Sequence, residues 1–111
     1  MQTVLNEIST VQLEKTQEIL QVMADKYSRD ILSTTQDAPK SALKLAQETG
    51  IPISTVYRRI QRLHDSRLVR VSGEVTHEGK KHFLYQSKVK AILSKMIGDF
   101  ITVEIVPNPS H

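Results

Sequence analysis

Arg58, Arg59 and Arg62 fall within five consecutive positions, directly after a Gly50-Ile51-Pro52 turn, with Ser54, Thr55, Tyr57 and Gln61 interleaved among them. A guanidinium presents a forked, permanently charged set of donors that suits phosphate oxygens or the paired acceptors on a guanine edge. A side-chain amide such as Gln61 can address adenine, and a hydroxyl can serve either kind of base. The stretch holds no phosphate-cradling glycine loop and no nucleophile motif. Its chemistry is recognition of a polyanion rather than bond breaking. The chain is accordingly read as a non-enzyme with no cofactor. The histidines, His64, His77, His82 and His111, form no convincing metal set. His77 and His82 lie across a predicted turn, where plain exposure is the preferred reading over a shared ion.

What must hold these side chains is a helix over about residues 53–65. At about 100° per residue, Val56, Ile60 and Leu63 lie within about 40° of one another and form its inner seam. Ser54, Arg58, Gln61 and Asp65 then point outward. Thr55 and Arg62 flank that face on one side and Tyr57 on the other. Arg59 falls nearer the core edge, where a carboxylate could pair with it. The N-terminal half of such a helix is the half that enters a major groove. Ser54, Thr55, Tyr57, Arg58 and Gln61 are therefore the candidate base readers, and Arg59 and Arg62 candidate phosphate holders.

The preceding stretch, KSALKLAQET, predicts a short helix with Ala42, Leu45 and Ala46 inside. Gly50 suits the left-handed residue that closes it, and Pro52 suits the start of the next helix. Two helices joined by a turn of about three or four residues containing glycine have helix-turn-helix spacing. Lys40, Ser41 and Lys44, at the start and outer face of the first of them, are phosphate candidates, and its N-terminal amides favour an anion. After residue 66 the period changes. LVRVSGEVTHEG and KKHFLYQS read as two strands around a turn near 77–80, with Glu78-Gly79 at the tip. Lys80 and Lys81, with His82 beside them, are phosphate candidates there.

Charge follows the same division. Residues 36–90 carry eleven Lys/Arg against five Asp/Glu, whereas residues 1–35 carry three against five and residues 91–111 one against two. A basic excess concentrated in one part of a chain is the footprint of a polyanionic partner. With 111 residues, the chain is expected to form one domain over 1–111. Cysteine is absent, which removes disulfides, zinc–thiolate sites and a thiol nucleophile and fits a cytoplasmic location. No run of 18 apolar residues is present, so no membrane span is expected, and the N-terminus has no secretion-signal pattern.

At the N-terminal end, Ser9 to Gln12 resembles a capping box. Apolar residues then recur at helical spacing from Leu13 to Leu32, with a break expected near 25–28 and Ser28 as the second cap. The C-terminal segment is ambiguous. Residues 89–100 fit a helix, but Val89, Ala91 and Leu93 with Ile101, Val103 and Ile105 fit two strands turning at Gly98-Asp99. The hairpin is the preferred reading, and a helix over 88–97 stays open. PNPSH is expected to fray.

The segments MADKYSRDILSTT, PKSALKLAQETGIPISTVYRRIQRLHDSRLVRV and EGKKHFLY resemble the winged-helix domain of ArsR-type transcriptional regulators, especially small archaeal ones. The resemblance covers about residues 13–90. It implies an α+β, mainly helical, winged helix-turn-helix fold: N-terminal helices over 10–35, the helix-turn-helix over 40–66, a wing over 68–87 and a C-terminal extension over 88–106. It also implies a homodimer that binds double-stranded DNA sequence-specifically, with residues 10–27, residues 89–106 or both as candidate dimer elements. Two features depart from the family. Its cysteine-based metal sensing has no residues here, and Arg67 stands where glycine is usual, at a site that often needs positive φ. A winged helix used for protein interaction within transcription machinery, or for RNA, is the alternative.

Overall fold

The computed structural model describes residues 10–110. Helices α1 (Thr10–Ala24), α2 (Lys26–Thr34), α3 (Ala42–Thr49) and α4 (Ile53–Asp65) precede strands β1 (Val69–Val75), β2 (Lys81–Ser87), β3 (Val89–Ile97) and β4 (Phe100–Pro107). The strands form two antiparallel hairpins, β1–β2 and β3–β4. This is the α+β winged helix-turn-helix architecture expected from the sequence.

The break between α1 and α2 falls where the periodicity fails, but the cap is Asp25, not Ser28. Asp25 is extended (φ −98°, ψ 116°), and its carboxylate accepts from the Ser28 backbone N–H at 2.9 Å and from the Ser28 hydroxyl at 2.6 Å. Ser28 is a buried donor inside the first turn. The expected Ser9 cap of α1 lies outside the described residues. Ser41 caps α3 by accepting from the Lys44 N–H, and Gly50 closes it in the left-handed region at φ 77°.

Helices α2, α3 and α4 pack against one another around Ile31, Leu32, Leu45, Val56, Ile60 and Leu63, all buried. Burying each of the three α4 side chains contributes roughly 1.5–3 kcal/mol. Ile51, in the turn between α3 and α4, joins the same cluster. Helix α4 ends in a Schellman arrangement: the Leu68 N–H reaches the Leu63 carbonyl at 2.8 Å and the Arg67 N–H reaches that of His64 at 3.0 Å. The left-handed position belongs to Arg67, with φ 61°. It is the one non-glycine residue with positive φ among the described residues. The geometry that glycine would favour is thus kept, and buried Leu63 and Leu68 share the core around it.

In the first hairpin the register runs from Val69 opposite Ser87 to Val75 opposite Lys81. Its turn is closed by the Thr76 N–H on the Lys80 carbonyl at 2.8 Å, with Gly79 left-handed. A third, one-residue strand joins it. Lys40 and Tyr85 exchange both backbone bonds, at 3.0 and 2.8 Å. Lys40 is therefore a bridge residue beside β2 rather than part of the outer face of α3.

The segment 89–107 is the second hairpin, with Ile97 paired to Phe100 around Gly98-Asp99. A helix over 88–97 would strand the β-branched run of β4 without a partner, and pairing removes that cost. Ile92 and Ile105 pack on the main core, and fully buried Val103 belongs to the strand that lies on α1. The expected fraying of the PNPSH tail does not extend to Asn108, which is anchored; His111 lies outside the described residues. Asn108 donates its side-chain amide to the carbonyls of Gln36 at 2.8 Å and Ser87 at 2.9 Å. The molecule measures 55 × 26 × 22 Å, and its radius of gyration, 15.3 Å, exceeds the ~13 Å typical of this chain length.

Candidate nucleic-acid interface

The inner seam of α4 is spent on the core, so its other side is left for a partner. Ser54, Tyr57, Arg58 and Gln61 are exposed and Thr55 half-buried, with no other part of the described chain laid over them. The exposed groups are held in place by neighbours on the same helix. Arg58 donates to the Thr55 hydroxyl at 3.2 Å, and the Gln61 amide donates to Asp65 at 2.9 Å. Arg62, also half-buried, donates to the Gln21 side chain of α1 at 3.0 Å and lines a depression with Arg58 and Gln61.

Arg59 is placed differently from the phosphate role expected of it. Its guanidinium donates to Asp25 at 2.8 Å, the two side chains being 27% and 20% exposed, and stacks over the Tyr27 ring at 5.6 Å. Burial pushes the Asp25 carboxyl up, but the hydrogen bonds from Arg59 and Ser28 outweigh it and hold the group down at about 2. Arg59 thus pins α4 to the α1–α2 junction. One carboxylate serves as helix cap and as partner to the arginine at once.

The basic groups before and on α3 are also partly engaged. Lys40 and Lys44 both reach Glu48, Lys44 at 3.5 Å, and the Lys40 hydrogen bond holds the Glu48 carboxyl below the usual carboxylate range. The Ser41 oxygen accepts from the Lys44 N–H at 3.1 Å, so one N-terminal donor of α3 is already satisfied.

The wing brings a second surface beside α4. Strand alternation puts Val71, Gly73 and Val75 on one face with Lys81, Phe83 and Tyr85. That face meets α4 along a groove of about 280 Å³ lined by Tyr57, Ile60, Gln61, Val71, Phe83 and Tyr85. It continues into a depression shared by Ser41, Tyr57, Lys81 and His82. The Lys81 ammonium lies 5.2 Å from the Phe83 ring centre. Gly73 makes room for it: a Cβ there would stand 3.0 Å from the Lys81 Cε. Burial pushes the Tyr85 hydroxyl up, with Tyr57 adding to the effect. Lys80 and Lys81 are exposed at the wing tip.

Ser41, Tyr57, Gln61 and Lys81 therefore gather around the groove, Arg58 and Arg62 sit along α4, and Lys40, Lys44 and Arg59 are held by carboxylates. Phe83, Tyr85 and Gln21 are additions to the sequence-derived set. Phe83 and Tyr85 were readable as a face, because positions 81, 83 and 85 alternate on one strand; Gln21, far off in sequence, carried no signal. Among the described residues no three His, Asp or Glu side chains gather where they could hold a metal ion.

Residues 23–72 match a family described as a helix-turn-helix domain. The match spans α2, α3, α4 and the start of β1, the segment that carries the base-reading candidates. It supports a DNA-binding regulator in general terms. No curated protein matches the chain significantly. Among the described residues no helix is long and apolar enough to cross a membrane.

Proposed function

We propose that this protein is a cytoplasmic, homodimeric transcriptional regulator of ArsR type that binds double-stranded DNA sequence-specifically, and that α4 is its recognition helix. The observation that carries the reading is the uncovered outer side of α4, with Ser54, Tyr57, Arg58 and Gln61 exposed next to a wing that presents Lys80 and Lys81. In this arrangement Arg58 takes the guanine O6/N7 edge, Gln61 an adenine, and Ser54 and Thr55 either kind of base. Tyr57 offers an aromatic surface to a thymine methyl. Arg62, Ser41, Lys80 and Lys81 hold phosphates, and Lys40 and Lys44 do so where phosphate displaces Glu48. Arg59 leaves the phosphate set, because Asp25 claims it.

The test is selection of bound sequences from random duplex DNA at fixed salt, followed by titration of salt. A recurring motif, with affinity that falls steeply as salt rises, is the expected result. Arg58→Ala should cost specific binding roughly 1–3 kcal/mol and relax preference at one position. Recovery of no preferred duplex sequence would favour a protein-interaction module. Preference for RNA over duplex DNA would favour the RNA-binding alternative.

A further inference from the structure

We propose that the face of the β3–β4 hairpin turned away from α1 is the protein's self-association surface, occupied by the same face of a second copy laid antiparallel across a twofold axis. The inference rests on the dimeric-regulator reading and deepens it by naming the surface.

Alternation puts Ala91, Leu93, Lys95 and Ile97 of β3 on one face with Phe100, Thr102, Glu104 and Val106 of β4. The opposite face is spent along its base and middle, where Ile92 and Ile105 pack on the core and Val103 is fully buried, and it opens toward the tip, where Met96 is 72% exposed. Among the described residues the outward face has no such cover. Leu93 is 50% exposed, Ile97 65% and Phe100 73%. Clustered apolar exposure on a projecting ribbon marks an interaction site, and a two-stranded ribbon gains little stability alone. DNA is a poor occupant. Residues 91–111 carry one lysine against two carboxylates, with no cationic excess to spend on phosphates.

The face fits itself in the way a twofold contact requires, residue i meeting j while j meets i. An axis crossing the hairpin at the Ser94/Val103 pair exchanges 93 with 95, 97 with 91, 102 with 104 and 100 with 106. The apolar tip pair Ile97/Phe100 of one copy then meets the half-buried Ala91/Val106 pair of the other, Ile97 facing the small Ala91 and the Phe100 ring facing Val106. Lys95 lies over Leu93 of the second copy, beside that copy's Glu104, so opposite charges meet twice. A shallow depression of about 260 Å³ between Leu93, Lys95, Thr102 and Glu104 falls at the axis.

Sedimentation equilibrium of the full chain tests this. The wild type is expected to dimerise, and Ile97→Asp/Phe100→Asp to raise the dimer Kd at least ~30-fold. Lys95→Glu should weaken the dimer about fivefold, and Lys95→Glu/Glu104→Lys should restore it. The charge exchange decides the matter should the tip variant fail to fold. A monomeric wild type, a dimer indifferent to both tip changes, or no rescue by the exchange overturns the proposal; so does a monomer that co-floats with lipid vesicles, which would make the tip a membrane contact. The DNA reading is scored separately. The tip variant should still bind half-site duplex with steep salt dependence. A dimer that obeys every hairpin prediction but binds no DNA would sink the regulator reading alone.

Discussion

The two hairpins have nearly the same length and opposite surroundings. The β1–β2 wing has a lysine pair at its turn, an aromatic face against α4 and a third strand, one residue long, at Lys40. The β3–β4 hairpin has no cation in its turn; Ile97 and Phe100 flank Gly98-Asp99 instead. Both are antiparallel ribbons closed by a left-handed glycine, Gly79 and Gly98. The backbone is therefore not what separates them. Side chains at the tips suit one ribbon to a charged, hydrated partner and the other to an apolar one, and a single chain can carry both because the strand register keeps the two chemistries apart.

The sharpest separation comes from the anchors. Val103→Ala removes two methyl groups from a fully buried site of the second hairpin and should cost about 2 kcal/mol in urea unfolding. DNA affinity per folded molecule on a half-site duplex should not change. A loss of half-site affinity would mean that the hairpins are not independent in function.

Next in size is the Asp25–Arg59 pair, which pins the recognition-helix candidate α4 to the α1–α2 junction. The folded carboxyl titrates near 2, below its ordinary value of 3.8. A group depressed in this way contributes stability above its unfolded pKa and loses it as pH falls through the folded one. Stability should therefore drop by about 1–2 kcal/mol between about pH 4 and pH 2, after allowance for partial exposure. Asp25→Asn should flatten that part of the profile. An unchanged acid limb in the variant would show that the pair contributes nothing.

Smaller again, the wing lysines test the charge contrast directly. Lys81→Ala should weaken binding to all duplex sequences alike, by about 1 kcal/mol, and reduce the salt slope by about 1. Lys95→Ala on the other hairpin should leave half-site binding and its salt slope as they were. Equal effects from the two lysines would erase the distinction between the hairpins.

Local pattern made much of this legible in the sequence. The seam of Val56, Ile60 and Leu63 repeats at helical period, and Gly50-Ile51-Pro52 punctuates two helices, so α3, α4 and the outward side chains follow from spacing. The second hairpin was only half legible, because residues 89–97 satisfy both periods and the choice depends on β4 needing a partner. Partners across long separations were not legible by identity: the position of Arg59 at the core edge suggests a carboxylate, but not which one. Asp25 and Arg59 are 34 residues apart, and nothing near either one points to the other. Ser28 was a reasonable cap by type, yet the extended backbone falls at Asp25. Lys40 read as a helix-start cation because a one-residue strand has no periodicity, and Asn108 read as a loose end because its acceptors, Gln36 and Ser87, lie far off in sequence.

The smallest effect concerns the entry to the wing. Arg67 holds φ 61° in the position that closes α4 and launches β1. A left-handed conformation costs a residue with a Cβ about 1 kcal/mol or more. Glycine removes that cost but gives the unfolded chain more freedom, which offsets about half of it. Arg67→Gly should therefore stabilise the fold by about 0.5 kcal/mol, a rise in Tm of a few degrees for a domain of this size. Removing the charge helps in the same direction. Lys15 donates to the Ser66 carbonyl beside it. Burial pushes the Lys15 ammonium down, Glu18 opposes this, and Arg67 and Lys88 push it down further. Arg67→Ala separates the two contributions, since it relieves the charge and keeps the strain, and should give the smaller gain. If glycine leaves the melting temperature unchanged or lowers it, the arginine side chain is supplying stability at the α4–β1 corner that offsets its backbone, and the corner is built around that side chain.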